Sequence, residues 1–143
     1  MFTVLEELKK QKKRIGFTSG VFDLLHSGHI MMLQECRAHC DFLIVGILTD
    51  PTRDRPEKNK PIQTIWERFV QLQAVRGINI VAPFDTEYDL DCMLHMIMPH
   101  IRFVGEEYVG VDHTGKGIPG IEIFYNKRKH PFSSTELRKR KEL

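Results

Sequence analysis

The sequence contains no apolar run near the ~20 residues that a membrane-spanning helix requires. Its first residues, MFTVLEELKKQKK, place the charges after a short apolar part, whereas a secretory signal has the reverse order. Because both signals are missing, we expect a cytoplasmic protein. With 143 residues, of which 41% are apolar and 28% charged, the chain has the length and composition of one globular domain.

Cysteine is scarce, and its spacing fits neither a disulfide framework nor a metal cluster. Cys36, Cys40 and Cys92 are odd in number and irregularly spaced, which indicates free thiols in a reducing compartment. Cys36 and Cys40 flank His39, but a structural zinc needs about four ligands and the sequence offers no second cluster. We therefore predict that both cysteines pack on one helical face and that the protein side chains form no metal site.

The chain has no strong excess of positive or negative charge, because 21 Lys and Arg residues are nearly balanced by 19 Asp and Glu residues. The small surplus is uneven, since seven of the basic residues fall within positions 127–143. A basic tail of this kind suits nucleic acid, the phosphates of a small ligand or a solvated helix end. Composition alone does not choose among these three.

Strand-like and helix-like segments alternate along the chain. The predicted strands are 15–19, 41–48, 78–82, 101–104 and 121–125, and the predicted helices are 4–13, 28–39, 66–76, 90–98 and 133–141. Residues 51–61, with three prolines, and 110–120, with four glycines, are predicted to be irregular. This order predicts an α/β fold in one domain over residues 1–143, a doubly wound parallel sheet whose ligands bind beyond the carboxyl ends of the strands.

The segment GVFDLLHSGH, residues 20–29, joins the first predicted strand to the helix that follows it. His26 and His29 lie three residues apart at the predicted helix start, where Ser27 is the expected N-cap. Gly28 lets a ligand come close to the backbone, and the N–H groups of a helix N-terminus attract anions. One histidine at such a place is usually a surface or capping residue, but two imidazoles with a glycine predict a phosphate site.

HSGH resembles the signature of the HxGH nucleotidyltransferase superfamily, and the longer segment resembles its cytidylyltransferase-like branch. FSST, residues 132–135, resembles the element that opens the last helix in that branch. The two motifs occur in the family's order, so the resemblance covers essentially the whole chain. It implies a Rossmann-like nucleotidyltransferase, and both the chain length and the LLHSGH segment resemble glycerol-3-phosphate cytidylyltransferase.

The resemblance also implies a set of site residues. The implied catalytic residues are His26, His29, Lys58 and Arg128, and the implied nucleotide-binding residues are Gly20, Val21, Phe22, Asp23, Gly28, Arg68, Arg76, Gly105, Glu106, Ser133, Ser134 and Thr135. A solvated helix face is an equally good interpretation of the two arginines on the third helix, and a turn-stabilising carboxylate is as good an interpretation of Asp23. KHPF at residues 129–132 and Glu106 in place of aspartate depart from the family's pattern, so the choice of base stays open.

The chemistry implied by the family is an in-line attack of an acceptor phosphate on the α-phosphorus of a nucleoside triphosphate, with pyrophosphate leaving. Such a transfer depends on positioning and charge neutralisation rather than on a covalent enzyme intermediate. The two histidines are expected to donate to the α-phosphate. Lys58, or else Lys60, is expected to reach the phosphates from residues 51–61, which act as a lid. Arg128 and the hydroxyls of residues 133–135 are expected to hold the β- and γ-phosphates. Mg²⁺ is expected as cofactor, bound through those phosphates.

The resulting prediction is an enzyme that transfers CMP from CTP to a phosphorylated small molecule, glycerol 3-phosphate first. An adenylyltransferase that uses ATP with FMN, a sugar phosphate or a similar acceptor is the alternative within the enzyme class. A non-catalytic module that binds nucleotide or nucleic acid is the alternative outside it, and the two intact histidines disfavour it. The resemblance also implies a homodimer, with residues 76–80 as the candidate contact, and no membrane partner. Residues 83–91 and 106–120 show no pattern that identifies the acceptor.

Overall fold

The computed structural model describes residues 2–127 and 133–141, in which strands and helices alternate as expected. The helices are α1 Phe2–Lys10, α2 Ser27–Ala38, α3 Ile65–Gln73, α4 Glu87–Ile97 and α5 Ser134–Lys141, and the strands are β1 Ile15–Gly20, β2 Phe42–Leu48, β3 Ile80–Phe84, β4 Ile101–Gly105 and β5 Glu122–Asn126. Two short 3₁₀ helices, Pro51–Arg53 and Glu106–Tyr108, follow β2 and β4. None of the helices in the described part of the chain is both long and apolar enough to cross a bilayer.

The five strands form one sheet in the order β3-β2-β1-β4-β5, and every neighbouring pair is parallel. The predicted doubly wound parallel sheet is therefore confirmed. The chain runs outward from β1 to β3 in one direction and from β4 to β5 in the other, so the order reverses between β1 and β4. In folds of this kind, loops at the carboxyl ends of strands flanking that reversal leave a crevice for ligands.

The apolar run FLIVGIL explains why β2 lies inside the sheet. Five consecutive residues of this strand, Leu43 to Ile47, are buried, as expected for a parallel strand covered on both faces. Alternate residues enter two separate cores. Leu43, Val45 and Ile47 pack with α2 and α3, whereas Ile44 packs with α1 and α4. The two layers of helices thus follow from the two-residue period of one strand.

Capping side chains set the helix boundaries where the apolar pattern alone misplaced them. Thr64 and Thr86 each form a capping box, with Glu67 and Asp89 respectively, so that α3 begins at Ile65 and α4 at Glu87. The strand predicted to begin at residue 78 begins at Ile80 instead. The reason is that the Asn79 side chain accepts a hydrogen bond from the Leu43 N–H at 2.9 Å, in the place of a strand backbone.

The cysteines of α2 pack as predicted. Cys36 is fully buried in the core on the α2 side of the sheet, and Cys40 packs against the same cluster. Burial raises the pKa of the Cys36 thiol to about 12, so it stays protonated at neutral pH. Both are free thiols, as is Cys92.

Candidate active site

A cavity of about 710 Å³ opens at the carboxyl edge of the sheet, where strand order reverses. Its walls include the ends of β1 and β4, the loop that leads into α2, part of residues 51–61 and the segment from Gly105 to Thr114. This volume lies within the ~300–1,000 Å³ range of small-molecule sites. The cavity is therefore the place to look for the predicted chemistry.

Two stacked imidazoles form the wall of the cavity at the start of α2. The His26 and His29 rings lie 3.9 Å apart between centroids, at an interplanar angle of 24°. His26, and not Ser27 as predicted, is the N-cap of α2, because its Nδ1 accepts a hydrogen bond from the Gly28 N–H at 3.0 Å. The His29 Nδ1 accepts in turn from the His26 N–H at 3.2 Å.

This reciprocal capping fixes the chemistry of both rings. A neutral imidazole that accepts at Nδ1 carries its proton on Nε2, so each ring acts as a donor at Nε2. Both histidines line the cavity, and the α2 N-terminus adds the partial positive charge of its backbone. The sequence predicts this pair, and the structure shows that the same side chains serve as helix cap and as cavity wall.

The loop between β1 and α2 has strained backbone beside the histidines. Phe22 and Leu24, neither of which is glycine, have φ angles of 55° and 51°. Residues with such angles cost of order 1–3 kcal/mol and persist only where the surroundings hold them. The Gln63 side chain accepts from the Leu24 N–H at 2.8 Å and is one of the groups that hold this loop. The Phe22 ring packs against the His29 ring, with centroids 5.5 Å apart, so the loop geometry positions the imidazole pair.

Asp23 and Arg68 tie this loop to the start of α3, and of the two only Asp23 also lines the cavity. The Asp23 carboxylate accepts from the N–H groups of Ile62 and Gln63 at 2.8 and 2.9 Å, which agrees with the structural interpretation of that residue. Arg68 is 1% exposed, does not line the cavity, and donates to the carbonyls of residues 21, 48, 49 and 63. This environment favours a positioning role for Arg68 over the predicted nucleotide contact, which stays a prediction, and the solvated interpretation is wrong for Arg68 because its side chain is buried.

Residues 51–61 form part of the cavity wall through Lys58 and Arg55. Lys58 is one of the lining residues, and Lys60 is not. Arg55 spans to the opposite wall, where it lies 3.9 Å from a Glu87 carboxylate oxygen and hydrogen-bonds to Tyr108, a contact that raises the pKa of the arginine. The predicted lid segment therefore contacts both α4 and the 3₁₀ helix after β4.

The segment after β4 places Glu107 in the cavity, whereas Glu106 does not line it. Gly105 lines the cavity as predicted, and a side chain added there would lie 2.3 Å from a Glu107 carboxylate oxygen. A side chain at this position would therefore have to displace the Glu107 carboxylate. Neighbouring residues of a 3₁₀ turn point in different directions, so of the two glutamates Glu107 faces the cavity, and the nucleotide contact of Glu106 stays a prediction.

The remaining predicted residues divide into three groups. Gly20, Val21, Gly28 and Ser133 line the cavity, and Ser133 also caps α5 by accepting from the Glu136 N–H at 3.0 Å. Arg76 and Thr135 are exposed and lie outside the cavity walls, and their contact with a nucleotide stays a prediction. Arg128 and residues 129–132 fall outside the described residues, as does the side chain of Ser134.

Sequence reasoning missed Arg102 and His113, which form the far wall of the cavity. Arg102 occupies a strand position flanked by apolar residues, and its only signal in the sequence is a charge inside the IRFVG strand. His113 lies in the glycine-rich segment that carried no readable pattern. Within the part of the chain that the structure describes, no group of three or more His, Cys, Asp or Glu side chains is arranged to hold a metal ion.

Comparison with known proteins agrees with this geometry. The model of the cytidylyltransferase-like family matches residues 17–140. The bifunctional protein HldE of Nitrobacter winogradskyi is 35% identical over 136 residues, which are 92% of this chain and 28% of that protein. HldE of Rhodopseudomonas palustris strain BisA53 is 37% identical over 120 residues, 83% of this chain and 23% of that protein. The chain thus spans about a quarter of the length of these relatives.

Two solved structures are similar in fold. A lipopolysaccharide core biosynthesis protein from Thermoplasma volcanium superposes with a TM-score of 0.59 and 22% identity, covering 90% of this chain and 85% of that one. Pantothenate synthetase from Thermus thermophilus gives a TM-score of 0.56 and 14% identity, covering 86% of this chain and 59% of that one. At such identities the likeness concerns the fold alone.

Proposed function

The chain belongs to the cytidylyltransferase-like family and is a nucleotidyltransferase, and from this premise we propose that it transfers a nucleoside monophosphate unit from CTP or ATP to a sugar phosphate and releases pyrophosphate. One observation carries the proposal. Two imidazoles, each with Nδ1 occupied by a backbone N–H, line a cavity at a helix N-terminus and carry Nε2 donors side by side. Paired donors at a helix N-terminus suit the stabilisation of charge on a phosphate.

In the proposed mechanism an acceptor phosphate oxygen attacks the α-phosphorus in line with the departing pyrophosphate. His26 and His29 donate through Nε2 to the α-phosphate oxygens as negative charge accumulates, and the α2 N-terminus supports the same charge. Lys58 neutralises the triphosphate from the lid segment, and Ser133 with the start of α5 contacts its β- and γ-phosphates. The loop network of Gln63 and Arg68 holds the imidazoles in place without touching substrate.

Mg²⁺ is part of the proposal as a cofactor that neutralises phosphate charge. The donor set fits an ion held chiefly by the nucleotide, because the carboxylates of Glu107 and Asp112 line the cavity without forming a three-ligand cluster within the described residues. Mg²⁺ keeps several waters and commonly takes only one or two carboxylates besides substrate phosphates. Glu107 and Asp112 are the side chains we assign to it.

For the acceptor, we place a sugar phosphate ahead of glycerol 3-phosphate. The relatives described above are HldE proteins rather than glycerol-3-phosphate cytidylyltransferases, and a large cavity with many polar side chains suits a polyhydroxylated acceptor. Transfer of CMP to glycerol 3-phosphate is the second candidate, because the LLHSGH segment resembles that enzyme. We set aside the non-catalytic alternative because both imidazoles are in donor geometry.

A homodimer is also proposed. Residues 76–80 lie beside the edge strand β3, where Ile78, Asn79 and Ile80 line a shallow groove. On neighbouring α3, Trp66 is 69% exposed and stacks on Phe69. An open sheet edge and an exposed aromatic side chain are each typical of surfaces that another chain covers.

The test measures pyrophosphate release with each of the four nucleoside triphosphates against a panel of sugar phosphates and glycerol 3-phosphate. His26→Asn and His29→Asn are the informative variants, because the asparagine amide oxygen retains a cap acceptor near the Nδ1 position while the Nε2 donor is lost. Each variant is expected to lose about a hundredfold in kcat with KM little changed.

His95→Ala is the matched control, since His95 is exposed on α4 outside the cavity walls. It should retain wild-type turnover. Near-normal kcat in the two asparagine variants would show that the imidazoles serve only as a helix cap. Absence of pyrophosphate release from every pair of substrates would support the non-catalytic alternative instead.

A further inference from the structure

The far wall of the cavity holds a buried arginine that forms no ion pair with the described residues. Arg102 on β4 is 5% exposed, and it lines the cavity. Its Nε has no hydrogen-bond partner, and within residues 2–127 and 133–141 it forms no ion pair. A buried cation without a counter-charge costs several kcal/mol, so its presence requires an explanation.

The surroundings of Arg102 hold the guanidinium firmly without neutralising it. Its Nη1 donates to the Thr114 carbonyl and lies 3.4 Å from the His113 Nδ1. Gly115 packs the loop backbone onto it, since a side chain there would lie 2.7 Å from Nη1. The His113 ring is held in turn by the Tyr125 hydroxyl, 3.3 Å from Nε2. All these partners are neutral or polar groups, which orient a cation but do not balance it.

One carboxylate acts on Arg102, and a second arginine shares it. Glu87 lies 3.9 Å from Arg55 and also accepts from the Thr114 hydroxyl at 2.7 Å. Glu57 also acts on Arg55, whereas Glu87 is the one carboxylate that acts on Arg102 among the described residues. Burial accordingly outweighs the attraction of Glu87 and lowers the pKa of Arg102.

Arg102 and the imidazole pair lie on opposite sides of the sheet. Ile101 and Phe103, on either side of Arg102, pack into the core that contains α2. Because strand side chains alternate, Arg102 points to the α4 side, where Leu94 and Thr114 are its neighbours. An anion held by Arg102 is therefore a different group from the phosphate positioned by His26 and His29.

We propose that Arg102 is an acceptor-binding residue and that the acceptor carries a second anionic group, a carboxylate or a further phosphate, remote from the phosphate that attacks. The inference rests on the proposed function for the identity of the reaction and sharpens its acceptor class. The Arg102 Nε and Nη2 groups, which donate to no described atom, supply the recognition. The segments that form this subsite are the ones whose sequence carried no readable pattern.

The test titrates the full chain with inorganic phosphate by calorimetry, which requires no turnover. The variants are Arg102→Met, Arg102→Lys and His29→Asn, with Arg14→Met as control, because Arg14 precedes β1 at the other end of the sheet and pairs with exposed Glu122. Arg102→Met is expected to weaken one phosphate site at least tenfold, and Arg102→Lys less. His29→Asn should affect a different site, and the control should affect neither. Thermal unfolding of Arg102→Met should occur at or above the wild-type temperature, because an unpaired buried charge is removed.

Two further arms identify the occupant. A non-hydrolysable nucleoside triphosphate analogue should bind Arg102→Met within about twofold of wild type, and in the pyrophosphate assay wild type should prefer sugar bisphosphates over the matched monophosphates. Arg102→Met should erase that preference. Tenfold weaker binding of the analogue would assign Arg102 to the nucleotide and overturn the proposal. Unchanged phosphate binding, or a wild-type preference for monophosphates, would also overturn it. Failure of turnover with intact phosphate binding would contradict the proposed function alone.

Discussion

Replacing Arg68 with methionine tests whether one buried side chain holds the active-site loop in place. The guanidinium donates to Val21 O at 3.0 Å, Leu48 O at 2.7 Å, Thr49 O at 2.7 Å and Gln63 O at 3.2 Å. These carbonyls belong to the loop after β1, the end of β2 and the start of α3. Methionine fills much of the same volume but removes the side-chain donor from all four.

The expected loss is large because the lost bonds are charge-assisted. Each such bond contributes roughly 1.5–3 kcal/mol, but burial of the cation opposes them, and burial lowers the pKa of Arg68. Breaking a buried charged network typically costs 3–5 kcal/mol, and we expect about 4 kcal/mol for Arg68→Met. At about 2–4 °C per kcal/mol for a chain of this size, the melting temperature should fall by about 8–16 °C.

The assay is urea unfolding followed by circular dichroism, with Arg76→Met as the matched control. Arg76 lies just beyond the same helix and is exposed, so its replacement should change stability by less than about 0.5 kcal/mol. Arg68→Lys should recover little, because one ammonium group cannot reach four carbonyls. Below the melting temperature, kcat should fall more than nucleotide affinity, since the loop that carries His26 loses its anchor. A loss under about 1 kcal/mol for Arg68→Met would refute the network as the anchor.

The remaining predictions concern the lid, the dimer and pH. Lys58→Ala should lower kcat strongly and Lys60→Ala should lower it less. Proteolysis within residues 51–61 should slow when nucleotide and Mg²⁺ are added. If the cleavage rate does not respond to nucleotide and Lys58→Ala turns over normally, the segment is a connecting loop and not a lid. Sedimentation should show a dimer that Trp66→Glu disrupts, and a wild-type monomer at working concentration would refute it. Partial burial lowers the pKa of His100, whose Nδ1 accepts a hydrogen bond from the Ile15 N–H. The unfolded chain therefore binds the proton more tightly than the folded chain. The contribution of neutral His100 to the free energy of unfolding is fully present above a pH of about 6.5 and is lost as the pH falls below it. In urea titrations, His100→Asn should flatten that dependence, and an unchanged slope would contradict it.

The sequence alone predicted the fold class, the element order and the imidazole pair, because each depends on residues that are close together in the chain. Strand and helix periods, and a motif contained within residues 20–29, are properties of neighbours in the chain. The parallel sheet then follows from alternation and handedness with little further information. Boundaries shifted where a single side chain, such as Thr64 or Asn79, supplied a hydrogen bond that no periodicity contains.

Only the tertiary structure decided the roles of the charged residues. Arg68 and Arg76 look equivalent as basic residues near one helix, yet the first donates to four carbonyls from three separate segments and the second lies exposed. In the sequence, Arg102 is a charged residue in an otherwise apolar strand. The fold brings Thr114 and Glu87, which are distant in sequence, close to it. The pKa, the burial and the partners of a charge depend on groups brought together by folding, so its function is fixed by the environment rather than by its neighbours in the chain.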